Sequence, residues 1–225
     1  GFDNNEKTIS LCIPCIPKHV KFLSDLSKNI NEQTIQPDEV VIAISNSNND
    51  IEKNIKNIFK NLNTKLVITG VSKTAYAGEN RNRAVEYSSS DIISFIDADD
   101  LMHPQRIEIL KYHFNKSNCL AILHKYTQKD IWNNINKKNT NLDSDILKKY
   151  HKDKTKIFLK IDHMTHGHIT VKKKVFDKIK QETGNTRKED SQFVRDLMNN
   201  FDQNKIYFLN ESLSKYRQEL SSKNN

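Results

Sequence analysis

The residues of this chain best equipped for chemistry lie between Ile92 and Arg106, in the run IISFIDADDLMHPQR. Three carboxylates, Asp97, Asp99 and Asp100, fall within four positions at the end of a short apolar segment. Like charges this close raise one another's pKa unless a cation or hydrogen-bond donors hold them. Asp97 and Asp99 are two apart, a spacing that in extended chain points both side chains the same way. A hard divalent cation is the natural occupant of such a pair. The competing role is capping, since Asp favours turns and helix N-termini and Pro104 favours a first helical turn. A cap needs one carboxylate, so capping accounts for Asp100 and leaves Asp97 and Asp99 as metal ligands.

Two further groupings have ligand-like spacing. His163, His166 and His168 form H-x-x-H-x-H beside Asp162, a pattern that suits a transition metal and equally a polar wall. His166 and His168 share one face in extended chain. Cys12 and Cys15 form C-x-x-C, but no second pair answers them and a redox pair wants a helix N-terminus, so core packing explains them.

The elements that must position these residues can be read from hydrophobic period. Ile9 to Ile13 reads as a strand stopped by Pro14 and Pro17. Lys18 to Gln33 reads as a helix with Phe22, Leu23, Leu26 and Ile30 on one face. Glu39 to Ile44 is a second strand, Ile51 to Leu62 a helix, and Lys65 to Thr69 a third strand ended by Gly70. Asn80 to Tyr87 is helical and Ile92 to Ile96 is the fourth strand. A helix from Pro104 to Phe114 and a strand from Cys119 to Tyr126 follow. Strand and helix alternate four times, which predicts an α/β fold with a parallel sheet whose ligands bind at the carboxyl ends of the strands. The Pro14 turn, the SNSNND loop, the Gly78 loop and the acidic cluster all fall at those ends and should share one crevice.

From Gln128 to Thr155 the period fades into an Asn- and Lys-rich stretch, an excursion over the crevice with a weak helix from Asp145 to Tyr150. Apolar residues return at Ile157 to Ile161 and Ile169 to Val171. An amphipathic helix after Glu189 and a strand from Ile206 to Leu209 close the pattern.

At 225 residues the chain is long enough for one substantial domain. It holds no run of 18 apolar residues, so no membrane span is expected, and no signal peptide is legible in the polar start GFDNNEKTIS. Three cysteines are too few for a disulfide framework and predict a reducing compartment such as the cytoplasm. The net charge of +8 belongs to one segment: Lys129 to Lys180 holds 14 Lys against six Asp, while the rest of the chain balances. Only four aromatics, Trp132, Tyr150, Phe158 and Phe176, are spread among these lysines, too sparse a set for base stacking, so the segment reads as a solvated face and no nucleic-acid partner is expected.

The order PCIP after the first strand, AGENRN before a helix, DIISFIDADDLMHPQRIE, GHITVKKKVF and then KEDSQFV resembles the family-two glycosyltransferases of the GT-A fold. The resemblance runs from Ile9 to Ser222, and the DADD-x-x-x-P-x-R-x-E stretch is its most specific part. It implies a Rossmann-like, mainly parallel mixed sheet flanked by helices in a single domain. Residues 9–128 would bind a nucleotide-diphosphate sugar and residues 129–225 an acceptor. Asp97 and Asp99 would then be the DxD motif, with Asp99 on Mn²⁺ or Mg²⁺ and Asp97 on the ribose or the metal, Ala98 lying between them. Arg81 and Asn82 match the family's Arg-Asn pair along the nucleotide. Pro14, Cys15 and Ser45 stand at donor-side turns. Arg217, in LSKYRQELSS, matches a closing Tyr-Arg stretch near the diphosphate. Asp190 falls where the family keeps its catalytic base, with Glu189 beside it, and His166 and His168 would face the acceptor. The Asn- and Lys-heavy composition is similar to that of enzymes from AT-rich genomes such as those of large DNA viruses.

The implied activity is metal-dependent, inverting transfer of a sugar to a hydroxyl of a glycan, protein or small molecule, with UDP as the default nucleotide. Two positions depart from the family. The usual aspartate closing strand two is here Ile44 followed by Ser45, and the usual Thr-Tyr-Asn is Cys15-Ile16-Pro17. These departures support a second class of function, an inactive relative that docks an anionic partner through its Lys-rich segment.

Overall fold

Short, largely apolar runs build the centre of the sheet and leave its strand ends to carry function. In the computed structural model, which describes residues 6–152, 168–184 and 189–220, strand β1 (Ile9–Cys15) is buried along its whole length. The segment expected as one helix divides into a 3-10 turn at Pro17–Phe22 and helix α1 (Leu23–Asn31). Pro17 sets the first turn there, as proline does at a helix start. β2 (Glu39–Ile44), α2 (Asn49–Ile58), β3 (Lys65–Gly70), α3 (Ala77–Tyr87) and β4 (Ile92–Phe95) follow in the expected alternation. α2 starts two residues early because the Asn48 side chain accepts from Ile51 N at 2.9 Å and caps it.

β2, β1 and β4 pair in parallel, with β3 outside β2. Pairing of β1 with β4 ends at Cys12 opposite Phe95. Beyond it β1 has one neighbour, which is why the strand carries on through Pro14 without losing a ladder bond.

The second half continues the same sheet with mixed directions. Its elements are β5 (Leu101–Met102), α4 (Arg106–Lys116), β6 (Ala121–Thr127), β7 (Leu142–Asp143), α5 (Asp145–Lys152), β8 (Ile169–Lys172), α6 (Glu189–Asn200) and β9 (Ile206–Lys215). The strand order is β3-β2-β1-β4-β8-β6-β9-β5, with β7 on β9. β8 is antiparallel to both β4 and β6 and joins the two halves. β9 extends to ten residues, well beyond the expected Leu209. Its register with β6 shifts between His124 and Tyr126, and its far end pairs with β5, Lys215 opposite Leu101. A bulge of this kind bends a strand, and here it delivers residues 216–217 to the end of β4.

Each strand sends alternate residues to opposite faces. Val40, Ile42 and Ile44 pack with Leu11, Ile13 and the α1 and α2 residues Leu26, Ile30 and Ile55. Val41 and Ala43 face the other way, toward Ala84 of α3 and Phe193 and Leu197 of α6. Phe176 stands edge-on to Phe95 and stacks on Phe193, so α6 is tied to β4 through aromatic contacts. α4 covers a third cluster with Ile107, Leu110 and Phe114 against Ile9, Ile92 and Ile122. No helix among the described residues is long and apolar enough to cross a membrane.

Candidate active site

Asp97, Asp99 and Asp100 stand just past the carboxyl end of β4, and their nearest carboxylate oxygens all lie within 4.8 Å of one another. Asp100 N donates to Asp97 O, so the four residues form a tight turn that gathers the side chains instead of spacing them along a strand. Asp99 and Asp100 are buried while Asp97 is partly open. Burial, reinforced by the charge on Asp97, raises the Asp99 carboxyl to about 7. Asp100 is also raised well above the usual carboxylate value, by burial and then by the charges on Asp97 and Asp99. Three crowded hard-oxygen donors, two of them buried with raised pKa values, fit a divalent cation, which would replace the protons that Asp99 and Asp100 otherwise favour.

Two arginines from distant segments meet this cluster. Arg81, on the buried face of α3, donates from Nη2 to Asp97 Oδ1 at 2.9 Å. Arg217 arrives on the segment after β9, donating from Nε to the main-chain oxygen of Asp99 at 2.6 Å and from its backbone N to Asp100 Oδ1 at 3.3 Å. Its Nη1 pairs with Asp25 of α1 at 3.1 Å, and its guanidinium carbon lies 5.9 Å from the Phe22 ring centroid. The cluster is thereby framed by both halves of the chain.

Behind it lies a third arginine. Arg106 is fully buried and donates to Ser94 Oγ at 2.8 Å, Phe95 O at 2.6 Å and Ser214 Oγ at 3.0 Å. Burial lowers its pKa to about 9, against the opposing pull of Asp100. Its bond to Phe95 O fixes the last residue of β4 two positions before Asp97. The sequence marks Arg106 only as part of the DADD-x-x-x-P-x-R pattern. Its interior position follows from the start of α4.

The other residues expected on the donor side are built into the framework around the cluster. Pro14 and Cys15 are buried in β1, and burial lifts the Cys15 thiol to about 12, so it is inert. Cys12 and Cys119 are also buried and free. Ser45 is fully buried; its hydroxyl donates to Ala75 O at 3.1 Å and receives Asn80 Nδ2 at 3.1 Å. Asn80 also donates to Cys15 O, and its oxygen accepts from Arg83 Nη2 at 2.8 Å. It welds the ends of β1 and β2 to α3. Sequence reading passed over Asn80, although it shares a helix face with Ala84 and is thus a polar residue on an apolar stripe. Ala98 is buried between the two aspartates.

Side-chain amides bracket the loops around the crevice, each imitating a strand pairing. Asn29 bonds both N and O of Met102, and Gln105 bonds both N and O of Ile135. Asn82 does the same for Gln181, receiving its N at 2.9 Å and donating to its O at 3.0 Å. The Asn82 side chain is therefore spent on the segment 179–184. His103 holds the excursion after β6 in the same way, donating from Nε2 to Asn133 O while Nδ1 accepts from Gln105 N, with Trp132 against its ring.

Glu189 and Asp190 stand in the first turn of α6, and their side chains lie outside the described residues. His163 and His166 also lie outside them, as does the apolar run from Ile157 to Ile161. His168 is 1% exposed, with its ring centroid 4.8 Å from that of Tyr126 and 5.8 Å from that of His124. Its imidazole belongs to the interior between β8 and β6.

The comparisons agree with this architecture. The model of the family described as glycosyl transferase family 2 matches residues 10–180. An uncharacterized glycosyltransferase of Methanocaldococcus jannaschii, MJ1057, is 26% identical over 205 residues, covering 88% of this chain and 66% of its own length. Among solved structures, S. aureus TarS 1-349 in complex with UDP-GlcNAc superposes with a TM-score of 0.68 at 16% identity, over 93% of this chain and 58% of that one. Glucosyl-3-phosphoglycerate synthase from Mycobacterium tuberculosis, in complex with Mn²⁺, UDP and glucosyl-3-phosphoglycerate, gives 0.65 at 14% identity, over 94% and 72%. This chain spans 36% of the longer TarS chain and about two thirds of the curated relative.

Proposed function

The chain belongs to glycosyl transferase family 2, in the GT-A fold, and from that premise we propose that it is a metal-dependent glycosyltransferase that inverts configuration at the transferred sugar. The donor is a nucleotide-diphosphate sugar, with UDP the first nucleotide to test, and the acceptor presents a hydroxyl. The observation that carries this reading is the packing of three carboxylates within 4.8 Å at the end of β4, flanked by Arg81 and Arg217.

Asp99 and Asp97 would hold Mn²⁺ or Mg²⁺, and Asp100 braces the turn that presents them. Bound there, the ion would neutralise charge on the departing nucleotide diphosphate. Arg81 orients Asp97 through their ion pair. Arg217 locks the Asp99–Asp100 turn from the C-terminal side, where its guanidinium also suits phosphate. Asp190, in the first turn of α6, is the proposed base that takes the acceptor proton as the hydroxyl attacks, with Glu189 its acceptor-side neighbour. A single displacement needs no nucleophile on the protein, and the buried, high-pKa cysteines supply none.

The test is a panel of nucleotide-sugars incubated with and without Mn²⁺, following hydrolysis of the donor and the anomeric configuration of any product. Metal-dependent turnover of one donor with inversion is the expected result. Turnover indifferent to metal, or a product of retained configuration, would remove the reading.

A further inference from the structure

Among the described residues, five side-chain amides that tie the loops around the crevice are bonded at both ends. Gln33, Asn29, Asn80, Asn82 and Gln105 each donate and accept. Gln181 is 3% exposed, yet neither its Nε2 nor its Oε1 has a hydrogen-bond partner. Leaving both ends of a buried amide unpaired is costly, and such groups in folded proteins call for an explanation. The main chain of the same residue is the opposite case. It is held at N and O by Asn82, and a Cβ on Gly78 would stand 3.6 Å from Gln181 Cβ and 1.7 Å from Glu182 O. Only glycine at position 78 lets the segment 179–184 approach α3 so closely. Gln181 is thus fixed in place with its side chain unspent.

Its position gives that side chain a use. Gly78 and Asn82, which hold it, flank Arg81 on the same helix, and Arg81 bonds Asp97. In sequence, Asp190 in the first turn of α6 lies nine residues beyond Gln181. Gln181 is therefore tied to the helix that presents Arg81 to the carboxylate cluster, and it precedes in sequence the helix that carries the proposed base. We propose that Gln181 is a specificity-determining residue whose amide reads a hydroxyl of the transferred sugar, donating from Nε2 and accepting at Oε1. A sugar hydroxyl is both donor and acceptor, and it satisfies the two ends that the protein leaves open. A site built around such a bond strongly rejects the analogue that lacks or misplaces the hydroxyl.

The proposal rests on the donor-site reading above, so its test pairs each nucleotide with its own sugar conjugate. Wild type and Gln181→Leu, similar in volume but unable to hydrogen-bond, are titrated in Mn²⁺ with UDP, UDP-glucose, UDP-galactose and UDP-GlcNAc, and with GDP and GDP-mannose. Binding is read by calorimetry and thermal shift. The expected result is a nucleotide affinity within about threefold of wild type, a sugar-nucleotide affinity or turnover reduced at least ~10-fold, and discrimination between the glucose and galactose epimers largely lost. The ligand-free variant should melt no lower than wild type, because it loses an unsatisfied group. A large fall in Tm would assign the amide a structural role, and an unchanged sugar preference would assign it to bound water; either overturns the proposal. If wild type binds no nucleotide in Mn²⁺, the donor-site reading itself falls and takes this one with it. Weakened sugar binding with intact nucleotide binding is the signature that neither failure produces.

Discussion

Arg217 donates from Nε to the main-chain oxygen of Asp99 at 2.6 Å, across 118 positions of sequence. The last strand thus closes on the turn that carries the metal-ligand candidates. Arg217→Lys keeps the charge and the backbone bond to Asp100 but loses the fork that spans Asp99 O and Asp25. The expected cost is about 2 kcal/mol, a fall in Tm of roughly 4 to 8 °C, with a donor KM raised about tenfold. Differential scanning fluorimetry and steady-state kinetics check it, and an unchanged KM would exclude Arg217 from donor binding.

Asp99→Asn removes one of three crowded negative charges without changing shape. The metal-free variant should be at least as stable as wild type, since repulsion within the cluster falls. Stabilisation by Mn²⁺ and turnover should both be lost, turnover by about 10³-fold or more. Retained turnover with a lost metal shift would separate the metal from the reaction.

The cluster also sets a pH dependence. Asp99 is raised from 3.8 to about 7 in the folded chain by burial and by Asp97, so the native state retains a proton there that the unfolded state has lost. Stability contributed by this group therefore falls as pH rises from about 4 through 7, by a few kcal/mol in the metal-free protein. Added Mn²⁺ should reverse that slope, because the ion competes with the proton. Urea denaturation at pH 5 and pH 8, with EDTA and then with Mn²⁺, reads both signs.

Arg106→Ala would leave Phe95 O, Ser94 and Ser214 without their buried donor and open a cavity behind the acidic turn. The expected loss is about 3 to 5 kcal/mol. A midpoint in urea close to wild type would mean that water takes over these contacts.

At Gly78 even one methyl meets the carbonyl of Glu182. Gly78→Ala should push the segment 179–184 off α3, lowering turnover at least ~10-fold while UDP affinity changes little, because the displaced segment leads to α6 and not to the carboxylate cluster. Equal losses in nucleotide binding and turnover would place the damage in α3 instead.

Local pattern sufficed for much of this protein. The apolar runs at residues 40–44 and Ile92–Phe95 and the helical spacing of Leu23, Leu26 and Ile30 specify strands and a helix wherever they are placed, because period and burial are short-range properties. The acidic turn was equally legible, since charge crowding needs only neighbours. What residues do at a distance was not. Ser45 and Asn82 are engaged with Ala75, Asn80 and Gln181, and Arg217 reaches Asp99 only because the bulge beside β6 steers β9 toward β5. The unspent amide of Gln181 has no signature in sequence at all. Whether a buried polar group is satisfied depends on which distant backbone lies beside it, and only the tertiary fold decides that.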